Sequence, residues 1–216
     1  MYFQGAVFDL DGTLLDSMGM WEQLDRKFLS RRGIALPRDY TEKISGYGFA
    51  EAARYTIKRF NLKEKPEALI GEWHALVAAE YKERIVLNIG AKAYLEGLQA
   101  AGVRLAVATS LPVKLFTPCL ERNGVAGLFK ALLSTEMVAR DKEYPDLFLA
   151  AAERLQVRPE ECLVFEDVLP AIKSAKAAGM KVCAVCNRYN LDQQPEFKKL
   201  ADFCIAGFSQ APWPDK

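Results

Sequence analysis

No uninterrupted apolar stretch in the 216-residue chain is long enough to span a bilayer, so no transmembrane helix is expected. Acidic and basic side chains nearly cancel, at a formal net charge of +1, and neither nucleic acid nor an acidic membrane surface is implied as a partner. No signal-peptide pattern precedes the first strand-like run, which favours the cytoplasm. Repeats and low-complexity segments are absent. The single histidine, His74, sits inside a long helical stretch and reads as packing rather than catalysis. Cysteines are few and odd in number: Cys119, Cys162, Cys183, Cys186 and Cys204, mostly in apolar runs, read as buried free thiols. Cys183 and Cys186 have the spacing of a metal or redox pair, but in a strand-like run residues three apart face opposite sides.

What is present is an ordinary soluble composition, long enough to bury one or two cores. Residues Tyr2-Phe3-Gln4-Gly5 read like the scar of a cleavable tag and carry no function. Gly5-Ala6-Val7-Phe8 is a short buried strand. From Ser17 to Arg84 the periodicity is helical: Trp21, Leu24, Phe28 and Leu29 recur at helix spacing up to Gly33. A break at Ser45-Gly46-Tyr47-Gly48 precedes helices over Ala50–Phe60 and from Pro66 to about Arg84. From Ala91 onward helices alternate with strands at Val103–Ala108, Ala131–Ser134, Cys162–Phe165, Lys181–Cys186 and Phe203–Ile205. Pro118 is expected to kink or restart the helix over Val113–Arg122. The alternation implies an α/β fold, a Rossmann-like parallel sheet with helices on both faces. The expected organisation is a core of residues 1–16 and 87–216 and an inserted all-α cap of residues 17–86. The joints fall near Asp16–Ser17 and Val86–Gly90.

Parallel strands place their carboxyl ends on one edge, where ligands bind. Asp9 and Asp11 end the first strand, and two apart they face the same way; Gly12 then permits a sharp turn. Thr109 and Ser110 end the second, Asp141-Lys142 follows the third, and Glu166-Asp167 ends the fourth. Alone, each has a plain reading: an Asp-Gly turn, a strand end, a solvated lysine, a helix N-cap. Together they define a phosphoryl-transfer site. Paired carboxylates can divide the labour of nucleophile and general acid, or share a cation. A carboxylate approaching a phosphate dianion to about 4 Å, at an effective dielectric near 20, faces about 8 kcal/mol of repulsion that cations must offset. Lys142 supplies one charge. A divalent ion held by Asp9 and Asp167 would supply two more, and oxygen ligands suit Mg2+. Thr109 can donate its hydroxyl to a phosphoryl oxygen, with Ser110 and nearby backbone N–H groups adding to the phosphate site.

Asp9-Leu10-Asp11-Gly12-Thr13-Leu14-Leu15-Asp16-Ser17 resembles the first motif of the haloacid dehalogenase superfamily, most closely the phosphatases and phosphosugar mutases with a small helical cap. The resemblance covers nearly the whole chain. It implies that Asp9 becomes an aspartyl phosphate and that Asp11 is the general acid/base and lends its backbone carbonyl to Mg2+. Thr109 matches the phosphate-binding Thr/Ser, and Lys142 the family lysine. Asp167 matches the direct Mg2+ ligand, with Glu166 acting through water. The implied activity is Mg2+-dependent hydrolysis of a small phosphorylated metabolite by a monomer or weak homodimer.

The alternative is a β-phosphoglucomutase-like mutase, which shares these core residues. The resemblance would place a histidine where Trp21 stands, which favours hydrolysis. Dehalogenases lack the second Asp. A non-catalytic phospholigand-binding protein would be free to lose Asp9, Asp11 or Lys142, and all three are present. Four departures from the family pattern stand out. Asp141 and Glu143 put carboxylates next to Lys142 in sequence, where they could hold or partly neutralise it. Val168 lacks a hydroxyl to cap the following helix, and Pro170 suits that helix's first turn. Trp21, Tyr47 and Trp73 read as cap packing, with Tyr47 in a loop that could face the site. Arg54, Lys58 and Arg59 read as a solvated helix face.

Overall fold

The computed structural model describes residues 3–44 and 47–215. The first two residues of the tag-like string, and Ser45-Gly46 of the expected break, lie outside the described residues.

Strand β1 is Gly5–Phe8. Four helices follow: α1 (Met18–Ser30), α2 (Tyr40–Ile44), α3 (Phe49–Phe60) and α4 (Pro66–Glu83). The alternating part then runs α5 (Ala91–Ala100), β2 (Arg104–Thr109), α6 (Val113–Arg122), β3 (Phe129–Ser134), α7 (Asp146–Leu155), β4 (Cys162–Glu166), α8 (Leu169–Ala177), β5 (Lys181–Val185), α9 (Gln194–Leu200) and β6 (Phe203–Ile205). All pairings are parallel, in the order β3-β2-β1-β4-β5-β6. This is the Rossmann-like α/β architecture read from the sequence.

β1 is wholly buried because β2 and β4 flank it and helices cover both faces, which explains its unbroken apolar run. Alternate side chains serve separate cores. Ala6, Phe8, Leu105, Val107, Leu163 and Phe165 face a cluster shared with α5, α6 and the helical insert. Val7, Ala106, Ala108 and Val164 face α7, α8 and α9. Chain order reverses at β1, since β2 and β3 lie to one side of it and β4 to β6 to the other. The crevice at such a reversal is open to ligands, because successive connections diverge there.

The joints of the helical insert are tied. Asp16 N donates to Val86 O (3.0 Å) and Asn88 N to Leu14 O (2.8 Å), so the outgoing and returning segments run side by side. Among the described residues no helix is long and apolar enough to cross a membrane.

α6 spans Val113–Arg122 as expected, and Pro118 does not restart it. The proline removes the N–H that would meet the Lys114 carbonyl, a cost of about 3 kcal/mol. Leu115 and Phe116 before it and Cys119 and Leu120 after it are all buried, and burying each large side chain returns roughly 1.5–3 kcal/mol. Packing therefore carries the helix through. The five cysteines are free, and Cys183 and Cys186 attach to opposite cores as expected.

Phe165 stacks on Phe8 at 4.5 Å and meets Tyr94 edge-on at 5.6 Å, at the centre of the sheet. Phe165→Ala is expected to cost about 3–5 kcal/mol, read as a lowered midpoint in urea unfolding; a loss below about 1 kcal/mol would show that this stack is not central to the core.

Candidate active site

The strand ends converge. Asp9, Asp11, Thr109, Ser110, Lys142, Glu166 and Asp167 line one cavity of about 110 Å³. Lys142 is buried and bonds Asp9 Oδ1 at 2.5 Å and Glu166 Oε2 at 2.6 Å. Burial opposes its charge, but Asp9 and Glu166 outweigh burial and hold the ammonium pKa above its usual value. Asp141 and Glu143 do not hold Lys142, contrary to the sequence reading. Asp141 turns to the backbone of Gly48 at the start of α3, and Glu143 is exposed. The burial of Lys142 goes with this: its ammonium points inward to Asp9 and Glu166 at the sheet edge, while its chain neighbours point elsewhere.

Burial, then Glu166, push the Asp9 carboxyl up against the opposing pull of Lys142. Burial, Glu166 and Asp9 likewise push Asp167 up. Three carboxylates face one ammonium. Ligand oxygens of Asp9, Glu166 and Asp167 lie within 4.8 Å of one another. Asp167 Oδ1 is buried with no hydrogen-bond partner, while its Oδ2 accepts from Asn187 Nδ2 at 2.9 Å. An all-oxygen set with uncompensated charge and an orphaned buried oxygen fits a divalent cation of the Mg2+ kind. Both Glu166 oxygens are already engaged: Oε2 by Lys142, and Oε1 by the backbone N–H groups of Asp167 (3.1 Å) and Val168 (3.2 Å).

At the α8 N-terminus, where Val168 carries no hydroxyl, Glu166 Oε1 accepts from Val168 N and Gln193 Oε1 from Leu169 N at 3.0 Å. Gly12 has φ +78, and a Cβ there would lie 2.2 Å from Asp167 Oδ2, so the turn after β1 and the acidic pair can approach only with glycine.

Asp11 is gripped from the helical insert. Ser17 Oγ donates to its Oδ1 at 2.5 Å, Tyr81 Oη donates to the same oxygen, and Trp21 Nε1 donates to Tyr81 Oη at 3.2 Å. Thr109 is buried at the end of β2; its hydroxyl oxygen accepts from Leu111 N (3.2 Å), and its hydrogen has no acceptor among the described residues. Sequence reading missed Tyr81, which lies in α4, and Asn187. Asn187 lies just past β5 and also donates to Gly12 O at 3.2 Å. The strand-end rule that found the acidic pair, carried one strand further, reaches it.

Trp21, Tyr47 and Trp73 pack as expected and also line the cavity, so their role is not packing alone. His74 meets Phe49 edge-on at 4.6 Å, and burial lowers its pKa; it does not line the cavity. Arg59 is not simply solvated, since it pairs with Asp39 at 2.7 Å and takes the Tyr55 hydroxyl as an acceptor at 2.6 Å.

This geometry agrees with comparison to known proteins. A family model described as haloacid dehalogenase-like hydrolase matches residues 6–185. Hexitol phosphatase A of Escherichia coli is 32% identical over 191 residues, covering 86% of this chain and 84% of that protein. The bifunctional riboflavin kinase/FMN phosphatase of Arabidopsis thaliana is 32% identical over 181 residues, 83% of this chain; the chain spans only 48% of that longer protein. Among solved structures, CbbY from Rhodobacter sphaeroides in complex with phosphate superposes at TM-score 0.82, with 24% identity and 96% of both chains covered, a likeness of fold. The chain belongs to the haloacid dehalogenase-like hydrolase family.

Asp25 of α1 is buried in the same cavity wall, its Oδ2 accepting from Thr41 Oγ1 at 2.6 Å. Burial raises its pKa from the usual 3.8 to about 7; the Thr41 bond opposes the shift and Glu22 adds to it. With the folded pKa above the unfolded one, the folded chain holds the extra proton inside that window. Ionising Asp25 therefore removes stability as pH rises from 3.8 to about 7. Asp25→Asn keeps an acceptor for Thr41 and abolishes the charge. Its melting temperature is expected to exceed that of the unmodified chain by more at about pH 8 than at about pH 5 in calorimetry. An equal difference at both values would contradict the assignment.

Proposed function

We propose that this chain, a phosphoric monoester hydrolase, removes the phosphate of a small phosphorylated metabolite through an aspartyl phosphate on Asp9. The observation that carries this reading is the buried Lys142 bridge between Asp9 and Glu166, beside the unsatisfied oxygen of Asp167. Residues 1–16 and 87–216 act as the core, and residues 17–86 as a cap that excludes bulk water from the cavity.

In the first stage a carboxylate oxygen of Asp9 attacks phosphorus, and the bond from phosphorus to the ester oxygen breaks. Asp11 gives its proton to that oxygen, so the alcohol leaves neutral. In the second stage Asp11 takes a proton from water, whose oxygen attacks phosphorus. The acyl phosphate bond breaks, phosphate leaves and Asp9 is restored. Ser17 and Tyr81 both donate to Asp11 Oδ1, which leaves Oδ2 as the oxygen that carries the transferred proton. Thr109, Ser110 and Lys142 hold the phosphoryl oxygens, since a free hydroxyl hydrogen and an ammonium sit at the same edge of the sheet. Asp9, Asp167 and the Asp11 backbone carbonyl would hold Mg2+, with Glu166 acting through water because both its oxygens are taken. When bound, the ion supplies two positive charges against the carboxylates and the phosphoryl group.

Hydrolysis is favoured over a mutase reaction by Trp21. Its indole N–H donates to Tyr81 and offers no basic nitrogen to activate a sugar hydroxyl. The name of the E. coli relative, hexitol phosphatase A, supports a small metabolite as substrate.

The purified chain should release phosphate from p-nitrophenyl phosphate with Mg2+. Excess chelator should abolish that release, and Asp9→Asn should lower kcat by at least about a thousandfold. Absence of release in every condition, alongside conversion of a sugar 1-phosphate to the 6-phosphate, would overturn hydrolysis in favour of the mutase.

A further inference from the structure

The cavity wall contributed by α1 to α4 carries a carboxylate that phosphoryl transfer does not use. Asp25 is 3% exposed. Its one hydrogen-bond donor among the described residues is Thr41, on Oδ2; Oδ1 receives none. The charged group that acts on it is Glu22, of the same sign, and among the described residues no basic side chain pairs with it. Around it the wall is apolar and aromatic: Trp21, Leu24, Ile44, Phe49 and Trp73. Structure alone gives no reason for a charge here, because an amide would keep the Thr41 bond without the desolvation penalty.

The partner must then come from the cavity. Of the described residues that line it, Lys142 is the one cation, and its ammonium is engaged by Asp9 and Glu166 at the phosphoryl end. An alcohol bearing a second phosphate or a carboxylate would meet Asp25 and, among the described residues that line this cavity, find no basic residue but Lys142 to offset it. An alcohol with an O–H or N–H donor would satisfy Oδ1, while its carbon skeleton lay against the aromatic wall.

We propose that Asp25, oriented by Thr41, is the specificity-determining residue of the leaving-group subsite, accepting a hydrogen bond from a hydroxyl or ammonium on the alcohol and rejecting alcohols that carry a second anionic group. This rests on the phosphatase reading and names the substrate class within it. The discrimination arises from two sources. A charge-assisted hydrogen bond favours the donor-bearing alcohol, and repulsion in a poorly solvated cavity penalises the anionic one.

The test uses the full chain with Mg2+ and four probes: p-nitrophenyl phosphate, glycerol 3-phosphate as the hydroxyl donor, phosphoethanolamine as the ammonium donor, and phosphoglycolate as the carboxylate. The better of the two donor probes should exceed phosphoglycolate in kcat/KM by about tenfold or more. Which donor leads identifies hydroxyl or ammonium as the group recognised. In Asp25→Asn that ratio should fall by about tenfold, mostly through KM. Thr41→Val, which frees the carboxylate to rotate, should narrow it less. Melting curves of both variants check that the fold is kept. Phosphoglycolate turned over as well as the donor probes, or a ratio unchanged in folded Asp25→Asn, would overturn the proposal while leaving the phosphatase reading intact. No release from any probe, p-nitrophenyl phosphate included, would instead remove that reading and the proposal with it.

Discussion

The structure depends on one buried ammonium. Lys142 arrives from the loop after β3, crosses under the sheet edge and bonds Asp9 of β1 and Glu166 of β4. These two strands flank the point where chain order reverses, so their buried carboxylates are brought side by side. Without the lysine the two would repel at close range in a medium that screens poorly. With it, Glu166 is held where its other oxygen accepts from the Asp167 and Val168 N–H groups just before α8, and Asp9 lies beside Asp167. The residual negative charge of this buried acidic group fits a divalent cation.

A second constraint joins the sheet edge to the helical insert. Asp11 belongs to the turn after β1, yet its partners Ser17 and Tyr81 stand at the start of α1 and the end of α4. The paired joint segments, Leu14–Asp16 against Val86–Asn88, set the distance between these elements. The Asp11 carboxylate is thus oriented by the same helices that wall the cavity. Asp25 adds a buried carboxylate to the same wall, where burial opposes its ionisation.

Much of this was legible in order along the chain, because each key residue sits at the carboxyl end of an apolar run. Asp9, Asp11, Thr109, Ser110, Lys142, Glu166 and Asp167 were all reached that way, and they share one cavity. What local pattern misjudged was the environment of single side chains. Pro118 looked able to restart α6, but buried neighbours on both sides carry the helix through it. Asp141 and Glu143 looked like partners of Lys142, but adjacency in sequence says nothing about which way a loop side chain turns. Tyr81 and Asp25 have unremarkable helical positions, and only the packing of one helix against another shows where they point.

The sequence by itself determined the class of sheet, the insertion of helices after β1, and the residue types gathered at one edge. Those follow from hydrophobic period and from the geometry of parallel strands, which are local or topological rules. The tertiary structure alone decided which carboxylates pair with Lys142, which oxygen of Asp167 is left without a donor, what holds Asp11, and that Asp25 faces a cavity where Lys142 is the one cation among the described lining residues. Those are matters of distance and solvation between segments far apart in the chain, and no spacing along it encodes them.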